Sequence, residues 1–254
     1  MSDAMSAEFD TVAEWTADVA VELGPDHHVP AGCRGSGSPA ALDWLVERLD
    51  LASGETLVDC GAGVGGPAAY AAQRREVRPL LVEPEAGACR AARTLFAAHP
   101  VVRADAAALP VADGSVDAAW ALGVLCTTEA QLELLRELLR VTRTPGRIGL
   151  LVLVAAEPLG EAEVPEGNHF PTMDAFRRLV DEAGLRVDEA CGTDRLGPVP
   201  AEWSRRVDAV TAELTARHGD DRAWQQAERQ SEVIGELIAD GRISAELFSL
   251  RRRR

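Results

Sequence analysis

At 254 residues, with 46% hydrophobic and 26% charged content, the chain has the size and make-up of one globular α/β domain. A formal net charge of −15 argues against a nucleic-acid partner, whose phosphates reward a basic surface. Five scattered cysteines, odd in number and without C-x-x-C spacing, argue against a disulfide framework or a zinc site, and no metal is expected.

All 26 basic residues are arginine, and the single basic cluster, Arg251–Arg254, reads as a solvated end. No apolar run reaches the ~18 residues of a membrane span, and the N-terminus lacks a signal-peptide pattern. The expected location is the cytoplasm, with no membrane partner.

In chain order, residues 6–23 are predicted as an amphipathic helix. Phe9, Val12, Ala13, Thr16, Val19, Ala20 and Leu23 recur at helical spacing, and Gly24-Pro25 ends it. Two readings stay open for it, plain packing or a lid over a site. The stretch Pro30–Pro39, with three glycines and two serines, reads as a tight loop. Ser38 caps the next helix, Pro39 takes its first position, and Leu42, Leu45, Val46 and Leu49 form its buried side.

The central stretch is Leu57-Val58-Asp59-Cys60-Gly61-Ala62-Gly63-Val64-Gly65-Gly66-Pro67. An apolar run ends in an acid, glycines follow, and Gly-Pro opens an alanine-rich helix. Glycine lets the backbone turn sharply and approach a ligand closely, and Pro67 suits a first helical turn. This is strand, glycine loop and helix N-terminus, the geometry of a nucleotide site. Gly61, Gly63 and Gly66 also satisfy the G-x-G-x-x-G dinucleotide pattern. Asp59 discriminates, because a carboxylate facing the ligand would repel a pyrophosphate but could attract a cation or accept bonds from ribose hydroxyls or water. Pro79–Glu83 reads as a buried parallel strand ending in an acid that can accept both ribose hydroxyls. It follows the loop at about the ~20-residue interval expected.

A helix over about Glu85–Ala98 and a strand Val101–Ala104 lead to Asp105-Ala106. The string Ala108-Leu109-Pro110-Val111-Ala112-Asp113-Gly114-Ser115-Val116-Asp117-Ala118-Ala119-Trp120 then follows. The glycine stretch resembles motif I of class I S-adenosylmethionine (SAM) methyltransferases, D-x-G-x-G-x-G-G-P, as in the sterol and quinone C-methyltransferase relatives. The later string resembles their D-x-x-x-L-P-F-x-D-x-S-F-D-x-V segment, which a nicotinamide enzyme has no reason to carry.

That resemblance implies SAM as cofactor, with Asp59, Gly61, Ala62, Gly63, Glu83, Pro84, Asp105, Ala106, Leu122 and Arg34 around it. Asp105 would take the adenine amino group and the Ala106 backbone N–H a ring nitrogen. Leu122 would lie by the ribose or methionine part, and Asp117 would be structural. Arg34 is read as a clamp for the SAM carboxylate, or as a solvated loop arginine. The position of Cys126 is often histidine in the relatives and faces the reacting methyl. Here it is either a catalytic residue or a small buried hydrophobe.

Strand four, Val116–Leu122, precedes a helix bearing Leu132, Leu134, Leu135, Leu138, Leu139 and Val141. Thr144-Pro145-Gly146-Arg147 is predicted to turn into strand five, Ile148–Val154. An acidic loop, Glu157–Gly167, ends in Asn168-His169-Phe170-Pro171. His169 is the leading candidate base, ahead of His27 and His28. A helix Thr172–Ala183 and a strand near Leu185–Ala190 follow. Two amphipathic helices, about Ala201–Arg217 and Asp221–Ala239, precede a last strand, Ile243–Leu250. This insert is expected to wall the substrate pocket, with burial against a second subunit as the other reading.

The expected fold is a doubly wound, seven-stranded Rossmann-like methyltransferase sheet with strand seven antiparallel. It carries N-terminal helices and a helical insert before that strand. The chain is read as one SAM-binding domain: a helical cap over 1–50, a core over 51–195, the insert over 196–242, and the last strand and tail over 243–254. The expected activity is methyl transfer from SAM to a small-molecule acceptor of specialised metabolism, with a homodimer left open. The alternatives are a SAM-using enzyme that cyclises SAM to methylthioadenosine, and a non-catalytic SAM-binding subunit.

Overall fold

Strand pairing sets the architecture of the computed structural model, which describes residues 3–253. The strands are Thr56–Cys60 (β1), Arg78–Glu83 (β2), Val101–Arg103 (β3), Val116–Leu122 (β4), Thr142–Ala155 (β5), Leu185–Gly192 (β6) and Ile243–Arg252 (β7). They form one sheet in the order β3-β2-β1-β4-β5-β7-β6. The first five neighbours pair in parallel, and β7 runs antiparallel between β5 and β6.

Alternation along the strands divides the core in two. Val58, Cys60, Ala119, Ala121 and Ile148 face one side, under Leu134, Leu135 and Leu138 of Gln131–Val141 (α6) and Phe176 and Val180 of Met173–Glu182 (α7). Leu57, Ala118, Trp120 and Leu151 face the other side. There Pro39–Arg48 (α3) contributes Leu42, Leu45 and Val46, and Gly66–Arg75 (α4) contributes Ala69 and Ala71. Each fully buried leucine contributes about 1.5–3 kcal/mol through area removed from water. Ser38 caps α3 as expected, accepting the Ala41 N–H at 3.3 Å.

The remaining helices roof the C-terminal ends of the parallel strands. Asp3–Leu23 (α1) lies along Ala86–Leu95 (α5), and an Asp10 carboxylate oxygen accepts the Gly87 N–H in the first turn of α5. A Cβ at Gly87 would come within 2.1 Å of the Asp10 carbonyl oxygen, so glycine permits this approach. Ala201–His218 (α8) and Arg222–Ala239 (α9) pack on α1 through Val210, Leu214 and Trp224 against Ala17 and Ala20. The Trp15 and His218 rings stack at 3.7 Å.

Three expectations need correction. The stretch from Pro30 to Pro39 is not all loop, because His28–Gly32 (α2) is helical and buries Val29, Pro30 and Ala31. Thr144–Arg147 does not turn into a strand that starts at Ile148, since β5 already begins at Thr142. Val116 pairs Thr142 while Ala118 pairs Arg147, so the intervening residues bulge from a continuous strand; the Thr144–Pro145 bond is cis. Arg251 and Arg252 are not a free tail, although Arg252 is exposed as expected. They belong to β7, where Arg251 pairs Asp188 at 3.3 Å and Arg252 donates to the Leu139 carbonyl at 3.2 Å. Arg254 lies outside the described residues. No helix among the described residues is long and apolar enough to cross a membrane.

Candidate functional site

Past Cys60 the chain must turn from β1 into α4, and it does so with Gly61, Gly63 and Gly65 at φ of +70°, +54° and +88°. This left-handed region is cheap for glycine and costly for residues with a Cβ. The Gly61 and Ala62 N–H groups donate to the Val82 carbonyl at 2.8 and 3.1 Å, fastening the loop to β2. A Cβ on Gly61 would lie 2.3 Å from Val124 Cγ2, and one on Gly66 would lie 2.2 Å from the Gly32 carbonyl carbon. At Gly63, by contrast, a Cβ would meet nothing within 4 Å. Gly63 lines an open cradle that a side chain would begin to fill.

That cradle is the floor of a cavity of about 390 Å³, within the range of small-molecule sites. Gly61, Ala62, Gly63, Glu83, Pro84, Ala106, Leu122, Arg34 and Cys126 line it, bringing together nine of the twelve residues expected from the sequence. Helix α1 closes one side with Phe9, Val12, Ala13 and Thr16 while also packing on α5, α8 and α9, so one helix both packs and walls the site. Helix α9 closes another with Ala227, Ser231 and Ile234, in agreement with a pocket-walling insert. The Glu83 carboxylate sits 6% exposed at the end of β2. It accepts the Gly63 N–H at 2.8 Å and the Glu85 N–H at 3.1 Å. Burial still raises its pKa above the usual carboxylate range, against the pull of those two donors.

Asp59, Asp105 and His169 do not line the cavity. Asp59 was expected to face the ligand, but alternation along β1 turns its side chain to the α4 side of the sheet. Burial there, reinforced by repulsion from Glu83, raises its pKa to about 7. The Trp120 indole and the Ala68 backbone N–H favour its ionised form, yet Asp59 Oδ2 and Trp120 Nε1 each lack a hydrogen-bond partner. The indole lies near the carboxyl without a hydrogen bond between them among the described residues. Asp105 is exposed beside the cavity, and its Oδ1 accepts the Ala107 N–H at 2.7 Å. At His169 the backbone is what the fold uses. Its N–H donates to the Cys126 carbonyl at 2.7 Å and its carbonyl accepts from Gln131 at 3.1 Å. The preceding residue, Asn168, reaches the cavity instead.

Cys126 is fully buried at the wall, with its Sγ 3.2 Å from the Leu153 N–H. Burial pushes its thiol up to about 12, so it stays protonated near neutrality and suits no acid–base role. Arg34 reaches the cavity from the turn after α2. Its guanidinium lies 4.8 Å over the Trp224 ring, and Nη2 pairs Glu228 Oε1 at 3.0 Å. Sequence reasoning missed Asn168, Thr127, Ala227 and Ser231. The last two share a face with Ile234 at i, i+4 and i+7 of α9, a pattern legible only once the insert is known to fold over the loop.

A methyltransferase domain is recognised over residues 58–150, from β1 into β5. An uncharacterized methyltransferase of Mycobacterium avium is 37% identical over 201 residues, covering 76% of this chain and 78% of that protein. Methyltransferase GfsG of Streptomyces halstedii is 30% identical over 168 residues; that match spans 58% of each chain, so just over half of the relative's length. Among solved structures, the [4+2]-cyclase SpnF superposes with a TM-score of 0.67 at 22% identity, covering 86% of this chain and 84% of that one. Other solved chains of this fold hold S-adenosylhomocysteine (SAH), the demethylated form of the cofactor. The sterol and quinone subtype finds no specific support among these relatives. With the Mycobacterium avium relative, the matched domain, the glycine cradle and the sheet order, the chain belongs to the class I SAM-dependent methyltransferases.

Proposed function

We propose that the chain transfers a methyl group from SAM to a small-molecule acceptor, of the kind met in specialised metabolism, and does so as one domain whose terminal and inserted helices roof the site. The observation that carries this reading is the bond from Gly63 N–H to Glu83 at the floor of the cavity. In it, Glu83 takes the ribose hydroxyls, and Gly61, Ala62 and Gly63 give backbone passage to the methionine part. Pro84 and the Ala106 N–H flank the base, the second Asp105 oxygen takes the adenine amino group, and Leu122 packs beneath. Arg34, with Glu228 on one Nη, takes the amino-acid carboxylate.

SAM supplies an electrophilic methyl on a sulfonium whose leaving group is already activated. What the chain must add is alignment and exclusion of water, which can supply much of the acceleration. Helices α1 and α9, which pack on each other, support that task by contributing Phe9, Val12, Ala13, Thr16, Ala227, Ser231 and Ile234 to the cavity wall. Asn168, held by the His169 backbone on Cys126, is a positioning group for the acceptor.

The test is incubation with methyl-deuterated SAM and an acceptor panel, followed by mass analysis of products. SAH together with a deuteromethylated acceptor supports the proposal. Methylthioadenosine would replace it with self-cyclisation. Tight SAH binding with no turnover on any acceptor would favour a non-catalytic SAM-binding subunit.

A further inference from the structure

The two ends of the cavity differ in charge. Strand order places β2 and β3 on one side of the glycine loop and β4 and β5 on the other. Glu83 and Glu85 lie at the first end, where a ribose is accommodated under the proposed function. The second end is formed by Cys126, Thr127, Leu153, Asn168, Ser231 and Ile234, after β4, on β5 and on α9. Among the described residues it presents no carboxylate and no histidine, and Cys126 stays a neutral thiol. Arg34 is the one cation lining the cavity among the described residues, and Glu228 already neutralises it at 3.0 Å.

A charge of either sign at the second end would meet no oppositely charged protein group there among the described residues and would lose hydration, a cost in a largely apolar site. A neutral apolar molecule meets Leu153 and Ile234 at no such cost. The polar groups there have spent their donors and are left with acceptor atoms that lack donor partners. Asn168 spends its amide N–H groups on the Pro165 and Glu166 carbonyls at 3.3 and 3.5 Å, leaving Oδ1 unengaged by the described residues. Thr127 donates its hydroxyl to the Val124 carbonyl at 3.0 Å, leaving its oxygen lone pairs. Both offer to accept a hydrogen bond.

Resting on the SAM reading of the first end, we infer that the second end is an acceptor subsite for neutral, largely apolar molecules that carry a hydrogen-bond donor such as a hydroxyl or amine. In the transfer the methyl–sulfur bond breaks with its electron pair going to sulfur. The methyl–acceptor bond forms from an acceptor lone pair, and the acceptor's proton leaves to water at the cavity mouth.

The experiment uses the full chain saturated with SAH, at high salt to screen its net charge. Three probes are compared by fluorescence: N-phenyl-1-naphthylamine, its 8-sulfonate, and a naphthyl trimethylammonium. The neutral amine should bind one per chain and at least about tenfold more tightly than either ion, taken as a 1.4 kcal/mol preference. Ile234→Asp should weaken it about tenfold with SAH affinity unchanged. Ser231→Trp, which fills the same wall, should do likewise and serves if the aspartate variant does not fold. Equal binding of either ion, no binding of the neutral probe, or indifference to both substitutions overturns the inference. SAH binding is first measured by calorimetric titration of the wild-type chain, and its absence there overturns the SAM reading itself rather than the subsite.

Discussion

The Glu83 carboxylate and the Gly63 backbone N–H, 20 residues apart in sequence, meet at 2.8 Å. One bond thereby joins the acid that ends β2 to the open cradle that follows β1. The same carboxylate also accepts the Glu85 N–H, just before α5, whose first turn is in turn held by Asp10 of α1. Loop, buried acid and roof helix are therefore mechanically continuous, and a ligand that engages Glu83 bears on all three.

Close backbone packing beneath the loop makes Gly66 a stability residue. Gly66→Ala would force a Cβ to 2.2 Å from the Gly32 carbonyl carbon and 2.5 Å from the Cys33 nitrogen, backbone that has no side-chain freedom to yield. The expected cost in urea unfolding is about 3 kcal/mol. A loss below about 0.5 kcal/mol would contradict this packing.

Asp59 gives stability a defined pH dependence. Burial raises its pKa from 3.8 to about 7, with Glu83 adding repulsion. Between those values the native chain keeps a proton that the unfolded chain has released. Its contribution therefore falls as pH rises through that window and is level above it. Asp59→Asn should match the wild type near pH 4 and exceed it by a few kcal/mol near pH 8. Urea unfolding across that range checks the difference; a pH-independent offset would contradict the raised pKa.

Thiol reactivity should follow burial. Cys33, Cys60, Cys89 and Cys126 are buried with thiol pKa values raised by desolvation, whereas Cys191 is partly exposed. Native-state alkylation near pH 8, read by mass spectrometry, should modify Cys191 first and leave Cys126 unmodified until the chain unfolds. Early modification of Cys126 would contradict its inert role.

Arg34 is expected to recognise a carboxylate. Charge-assisted hydrogen bonds contribute about 1.5–3 kcal/mol, reduced here by partial exposure and the Glu228 pair. Arg34→Ala should weaken SAH binding about tenfold while leaving adenosine binding unchanged. An equal loss for both ligands would make Arg34 a structural residue.

The fold was legible because its signals are local. The glycine loop, the capped α3 and the two insert helices each announce themselves through spacing and turn residues, and α8 and α9 fall within a residue or two of expectation. Placement of single side chains was less legible. Asp59 ends an apolar run in either reading, and only the pairing of β1 with β4 and the packing of α4 decide which face its carboxyl takes. His169 and Asn168 are adjacent and equally polar. The bond from His169 N–H to the Cys126 carbonyl, across 43 residues, brings Asn168 rather than His169 to the cavity. The bulge at Arg143–Gly146 was hidden for the same reason, because it depends on the register between β4 and β5.

Calorimetric titration with SAH of the wild type beside Glu83→Ala tests the central claim most directly. The wild type should bind one SAH per chain and give no heat with NAD. The variant, losing a buried acceptor and its hold on Gly63, should bind about 10- to 100-fold more weakly. Undiminished SAH affinity in Glu83→Ala, or no SAH heat in the wild type, would contradict the assignment of this cavity to SAM.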